Sequence, residues 1–281
     1  MDVIPLNAGF GAEIRGVDLS APPDAVTMET LHAVWIARGV VLLRGQALEP
    51  ADQVAFSRRL GELEPPPASE AGTREELGGQ PIWYISNVME DGRAIGSLGN
   101  AEAEWHTDMS YLPEPPSASV LYAREVPASG GNTSFCDMAA VLEALPRDLR
   151  EAIEGRMLRH DASMTSAGEL RRGAQAVTDV RTTQGAVHPI VRTHPETGRA
   201  SLYLGRRTNA YIEGLDVSDS EALLDGLWAF VRDPRFAWEH AWRAGDLLVW
   251  DNRCLMHRRD SFDAGARRIM LRTQVKGDRP R

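Results

Sequence analysis

Cysteine is scarce in this chain: only Cys136 and Cys254 occur among 281 residues. That excludes a disulfide framework and a thiolate zinc cluster, and both thiols read as packing residues in a reducing compartment. Basic charge is also in deficit, with 31 Lys and Arg against 40 Asp and Glu and a formal net charge of −9. A general nucleic-acid binder is therefore not expected, although residues 267–281 are locally basic. The start, Met1-Asp2-Val3-Ile4-Pro5, carries an acid where an export signal needs a basic flank. Apolar runs such as Gly39-Val40-Val41-Leu42-Leu43 and Leu247-Leu248-Val249-Trp250 are strand-sized and too short to span a bilayer. A cytoplasmic protein with neither membrane nor nucleic acid as partner is the expectation. Gly9-Phe10-Gly11 lacks the third glycine and the preceding strand of a dinucleotide fingerprint, and there is no Gly-x-Ser-x-Gly elbow or phosphate loop. No internal repeat or low-complexity linker divides the chain.

What is present is 43% apolar content, ample for a packed core. Helical spacing of Leu31, Val34 and Trp35 predicts a helix over 24–37, and Pro50 opens another over 50–60. Further helices are predicted at 138–154 and 218–232. Strands are predicted at 39–44, 82–88, 104–111, 117–126, 131–136, 188–193, 199–204, 236–242, 246–250 and 267–276. Such spacing favours a sandwich or barrel over a parallel α/β sheet. The segment 161–187, rich in Ser, Thr, Gly, Arg and Ala, reads as a lid over a functional site.

Chemistry concentrates at Trp105-His106-Thr107-Asp108 and at His257. Residues two apart on a strand point the same way, so His106 and Asp108 can reach one ion. With His257 they would make the two-histidine, one-carboxylate face that leaves three positions open on a ferrous ion. Arg268, eleven residues after His257, could anchor an anionic co-substrate from the next strand. A bland reading competes at each position: His-x-Asp occurs by chance, lone histidines are usually structural, and the face of 267–276 that carries Arg268, Met270, Arg272 and Gln274 could simply be solvated. A face lining a pocket between sheets would be polar too, and the upstream histidine motif favours that view. His188 and His194 lie in a Pro-flanked strand context, His32, His160 and His240 carry no motif, and all five read as structural or surface residues.

Around these residues the chain resembles the taurine / 2,4-dichlorophenoxyacetate dioxygenase family. The resemblance rests on Trp105 through Tyr111, Gly130-Gly131-Asn132-Thr133, Trp250-Asp251-Asn252-Arg253 through His257, and Arg267 through Arg272. Gly11 through Ile14, Gly16 through Leu19, Val41 through Gln46 and His188 through Pro195 extend it over nearly the whole chain, in family order. Ile85-Ser86-Asn87-Val88 and Phe135-Cys136-Asp137-Met138 are more similar to the phenoxyacetate branch than to the taurine branch.

The resemblance implies a mainly β fold with flanking helices around a double-stranded β-helix, the cupin-like jelly roll, as a single domain over 1–281. It implies Fe(II) held by His106, Asp108 and His257, with 2-oxoglutarate and O2 as co-substrates. Thr133 would hydrogen-bond 2-oxoglutarate, and Arg268 would pair with its distal carboxylate. The implied activity is oxidation, chiefly hydroxylation, of a small anionic organic substrate, sometimes with bond cleavage, and with release of succinate and CO2. Arg272, Tyr111, Asn87, Asn100 and Arg207 are substrate-pocket candidates, with Glu102 and Glu104 as weaker ones beside the motif. Asp108 disfavours halogenation, which would need a small residue there. Desaturation, epimerisation or cyclisation of a natural-product intermediate is an alternative with the same cofactors, and a non-catalytic metal-binding sensor is an alternative of another class. A homodimer or homotetramer would follow by analogy with the family.

Overall fold

The run Leu247–Asp251 is apolar on both sides because it lies inside a sheet covered on both faces. In the computed structural model, which describes residues 1–6, 9–66, 79–101 and 103–281, it pairs with Val40–Leu43 on one side and Ala118–Glu125 on the other. These belong to an eight-stranded sheet completed by Asp2–Pro5, Ala12–Arg15, Ile269–Val275, Trp83–Ser86 and Ser97–Leu98. A four-stranded sheet runs in the order Ala237–His240, Thr133–Asp137, Leu255–Arg259, Ala103–His106. Val40, Leu42, Leu121, Leu248, Trp250 and Met270 of the large sheet pack against Phe135 and Leu255 of the small one. The two sheets thus face each other as the walls of a double-stranded β-helix.

Strand parity decides what lies outside. On the far face of the large sheet, Val41, Leu43, Val120, Leu247 and Val249 bury Met28, Leu31 and Trp35 of helix Ala25–Arg38 and Val54 and Phe56 of helix Pro50–Leu60. On the far face of the small sheet, Cys136 and Met256 pack with Leu224, Leu227 and Trp228 of helix Val217–Val231 and with Val141 and Leu142 of helix Met138–Ala144. Each such side chain contributes roughly 1.5–3 kcal/mol when fully buried. The solvated reading of Ile269–Val275 is excluded, because every residue of that strand is buried.

Several sequence expectations need correction. The helix expected over 138–154 is two helices, Met138–Ala144 and Arg147–Ile153, because Pro146 forces Leu145 out of the helical region, to φ −60° and ψ 137°. The strand expected over 104–111 ends at His106: Thr107 donates its N–H to Gly205 O at 2.9 Å, and Met109 is left-handed with φ 48°. The strand expected over 188–193 divides into Val187–Pro189 and Val191–Thr193, which pair with different partners. The strand Leu255–Arg259, which carries His257, was not anticipated. Residues 161–187 form an irregular segment with one 3-10 turn, Val180–Thr182, and one isolated bridge, Met164 to Leu170. Among the described residues no helix is long and apolar enough to cross a membrane.

Candidate active site

His106 closes the strand Ala103–His106 and sits directly across from His257 on Leu255–Arg259. Their rings lie 4.2 Å apart between centroids. Asp108 lies in the turn that follows, and its Oδ1 stands 3.6 Å from His106 Nε2 and 3.8 Å from His257 Nε2. All three residues are buried, and their candidate ligand atoms lie within 4.8 Å of one another. Two donors held about 2.1 Å from one ion are about 3–4 Å apart, so this set fits a single six-coordinate cation bound on one face.

The neighbours fix how these donors point. Nδ1 of His106 lies 2.7 Å from the carbonyl oxygen of Glu104 and donates to it, which leaves the Nε2 lone pair for a metal. Ser119 Oγ receives N–H bonds from Asn252 at 3.0 Å and Gln274 at 3.1 Å, so its own hydrogen goes to Asp108 Oδ2 at 2.7 Å. Asn252 is held in turn by Trp250 Nε1 at 2.9 Å. Burial pushes the Asp108 carboxyl up, but Arg272, His257 and His106 outweigh it and hold the group well below its usual range. Burial, reinforced by His106, holds the His257 imidazole down to about 3 against the pull of Asp108, so it is neutral at ordinary pH, as a ligand must be.

A second group lies beside this set on the same inner face. Thr133 begins its strand after Gly130 and Gly131, both at positive φ (76° and 66°). A side chain at Gly131 would put its Cβ 3.3 Å from Arg268 Nε, so the glycine turn also makes room for that guanidinium. Trp242 Nε1 donates to Thr133 Oγ1 at 2.9 Å, leaving the threonine hydrogen to donate elsewhere. Arg268 is 2% exposed, its Nε has no acceptor, and no carboxylate among the described residues forms an ion pair with it. Burial, helped by the neighbouring Arg259, lowers its pKa to about 9. A desolvated guanidinium of this kind is strongly unfavourable without a counter-anion, and a ligand carboxylate would supply one.

His106, Thr133, His257, Arg268 and Arg272 line one cavity with Ile85, Ala103, Leu121, Ser166, Trp250 and Arg259. Arg272 reaches Asp108 Oδ1 at 3.2 Å and lies over the Trp83 ring at 4.4 Å. The other sequence candidates stand apart from this wall. Asn87 is a brace: its Oδ1 accepts the Arg268 N–H at 3.1 Å and its Nδ2 donates to Ala266 O at 2.8 Å. Asn100 exchanges hydrogen bonds with the backbone of Phe262 at 3.3 Å each way. The Tyr111 ring lies beneath the Arg171 guanidinium at 4.8 Å. Arg207 is spent on Glu221 at 2.5 Å and Asp225 at 2.8 Å, and lines a different cavity with Trp228 and Arg258 on the outer side of the small sheet. The Glu104 side chain is exposed, and Glu102 lies outside the described residues.

Sequence reasoning missed Arg259, Ser119, Trp242 and Arg206. Arg259 was accessible to it, since it is two residues beyond His257 on the same strand face. A second His-Asp-Cys cluster, His194, Asp251 and Cys254, is no metal centre in waiting. His194 Nε2 bonds Asp251 at 3.0 Å while its Nδ1 accepts the amides of Glu196 and Thr197, and Arg253 closes on both Asp251 oxygens.

A family model described as the taurine catabolism dioxygenase TauD, TfdA family matches residues 2–274. An (S)-phenoxypropionate/alpha-ketoglutarate-dioxygenase of Delftia acidovorans is 35% identical to this chain, over 99% of it and 95% of the relative. A pentalenolactone F synthase of Streptomyces arenae is 34% identical over 96% of this chain and 93% of its own length. Among solved structures, AAD-2 in complex with Mn(II) and N-oxalylglycine superposes with a TM-score of 0.80 at 29% identity, covering 99% of this chain and 98% of that one.

Proposed function

Because the chain belongs to the TauD, TfdA family, it is a 2-oxoglutarate-dependent non-haem iron dioxygenase, and we propose that it oxidises a small carboxylate of the aryloxyalkanoate type at a C–H bond. When bound, iron with 2-oxoglutarate and O2 supplies the oxidising power, with succinate and CO2 as co-products. The chain's own residues supply placement. His106, Asp108 and His257 hold the metal on one face. Arg268 takes the distal carboxylate of 2-oxoglutarate while the hydroxyl of Thr133 donates to it. Arg272, already against Asp108, keeps that carboxylate charged and orients whatever anion lies beside the metal.

The observation that carries this reading is the convergence of three buried metal donors beside Arg268, a buried cation that forms no ion pair with an acid among the described residues. A metal-binding sensor would have no use for that cation. The substrate class is supported by the relative that acts on (S)-phenoxypropionate; the pentalenolactone F synthase relative favours a natural-product intermediate as the second reading. The test is anaerobic loading with Fe(II) and 2-oxoglutarate, admission of air, and measurement of succinate across a panel of aryloxyalkanoates and terpenoid lactones. Succinate that rises with an aryloxyalkanoate supports the first reading; a response confined to lactones replaces it with the second, and no response to any compound removes both.

A further inference from the structure

The carbonyl oxygen of Met164, in the irregular segment 161–187, accepts from two guanidinium groups: Arg206 Nη1 at 2.6 Å and Arg171 Nε at 3.1 Å. Arg171 belongs to the same segment, whereas Arg206 belongs to the scaffold. Arg206 is 8% exposed and its Nε is buried without an acceptor. Its position is set by Gly205, with φ 64°, whose carbonyl oxygen binds the N–H of Thr107 between the two upstream ligands. A Cβ at Gly205 would fall 2.0 Å from His160 Nδ1 and 2.5 Å from Ser110 Oγ, so glycine is required at the residue that ties the chain just before Arg206 to the backbone of Thr107. Two residues beyond Met164, Ser166 forms part of the wall that also carries His106 and His257.

The charge of Arg206 is not balanced among the described residues. Arg206 spends one strong bond on a neutral carbonyl, and no carboxylate among the described residues forms an ion pair with it. The acid close by, Asp161, is occupied with the amide and hydroxyl of Ser163 and the amide of Met164. Burial and then the neighbouring Arg171 push the Arg206 pKa down, which is the signature of a cation held without adequate compensation. Arg272, by contrast, already has Asp108. An anion entering between Arg206 and the metal set would supply the missing charge.

We infer that Arg206 is the specificity residue for the anionic group of the substrate, and that its bond to Met164 makes anion binding hold the segment 161–187 closed over the cavity. The inference rests on the reading of the substrate as an anion and adds the residue that recognises it. Occupation of the scaffold cation and ordering of the lid become one event, so water is excluded only when the anion is present.

The experiment uses full-length enzyme loaded anaerobically with Mn(II) and 2-oxoglutarate, with (S)-2-phenoxypropionate, 2,4-dichlorophenoxyacetate and phenylacetate as probes and their neutral amides as controls. Amide hydrogen exchange over 161–187 should slow with at least one acid and with none of the amides. In Arg206→Gln this protection should vanish and the Kd of that acid rise about 10–100-fold, the loss of one charge-assisted bond. The 2-oxoglutarate and Mn(II) affinities should stay unchanged, and Arg206→Lys should recover part of the loss. Protection by the amides as strong as by the acids, an acid Kd indifferent to Arg206→Gln, or no protection by any acid overturns the inference. Succinate formation with Fe(II) separates the two layers: turnover that ignores Arg206 leaves the reaction standing without this subsite, whereas Arg206-dependent protection without succinate keeps the subsite and removes the reaction.

Discussion

Ser119 gives its hydroxyl hydrogen to Oδ2 of Asp108 across 2.7 Å, and this bond leaves Oδ1 to face His106 and His257. The serine is fully buried on the inner face of the large sheet, while both histidines come from the small one. The orientation of the carboxylate ligand is thus set across the gap between the two sheets.

Ser119→Ala should weaken Fe(II) or Mn(II) binding about 10–100-fold, the usual effect of removing a group that orients a ligand. It also strips the acceptor from Asn252 and Gln274, which should lower the unfolding free energy by about 1–3 kcal/mol. Metal titration followed by denaturant unfolding reads both effects, and unaltered metal affinity would show that Asp108 needs no such guide.

Arg268→Ala should raise the KM for 2-oxoglutarate about 10–100-fold, as expected for one lost charge-assisted bond, and leave metal affinity in place. Thr133→Val should act in the same direction but less, because it removes a hydroxyl and not a charged donor; it also leaves Trp242 Nε1 without its acceptor. Steady-state kinetics in 2-oxoglutarate decide the matter: a KM that stays flat in both variants assigns the co-substrate elsewhere.

Asn87→Ala removes the bonds that brace the chain at Ala264, Ala266 and the backbone of Arg268, although Asn87 itself does not line the cavity. The expected outcome is a rise of about 3–10-fold in the same KM, from about 1 kcal/mol of lost positioning, with substrate KM unaffected. A change in substrate KM alone would return Asn87 to the pocket role expected from sequence.

The pH dependence of stability should show a step that belongs to Asp251. Burial alone would raise its carboxyl, but Arg253 and His194 outweigh it and hold it at about 2 against a usual 3.8. A carboxyl depressed in the folded state contributes stability above its unfolded value and loses it as pH falls through the folded one. About 2 kcal/mol should therefore disappear between about pH 4 and pH 2. Asp251→Asn should be about 3 kcal/mol less stable at neutral pH, from the broken buried pair with Arg253, and should lack this step. Denaturant midpoints measured at several pH values test both statements.

The site was largely legible because its residues come from strands, where parity tells which side chains share a face. His257 and Arg259 line one wall for that reason, and Arg272 of the next strand joins them there with Arg268, which stands just before that strand begins. Legibility failed where the backbone leaves strand geometry. Asp108 comes beside His106 from a turn that begins at Thr107, and not from the shared strand face that the spacing suggested. After Gly205 no periodicity holds, and the sequence points to Arg207 and passes over Arg206, yet the former is paired on an outer face and the latter is buried near Asp108. Leu255–Arg259 escaped notice because its inward positions are occupied by His257 and Arg259 and so show no apolar alternation. The division at Pro146 was readable from the proline itself.

His257 reaches His106 only through pairing between the strands Leu255–Arg259 and Ala103–His106. On the ribosome, His106 and Asp108 emerge long before their third companion exists, and at that stage they offer iron two donors and no enclosure. The donor set is therefore complete only once these two distant strands have paired, and a chain cut before Leu255 would keep two donors of the three.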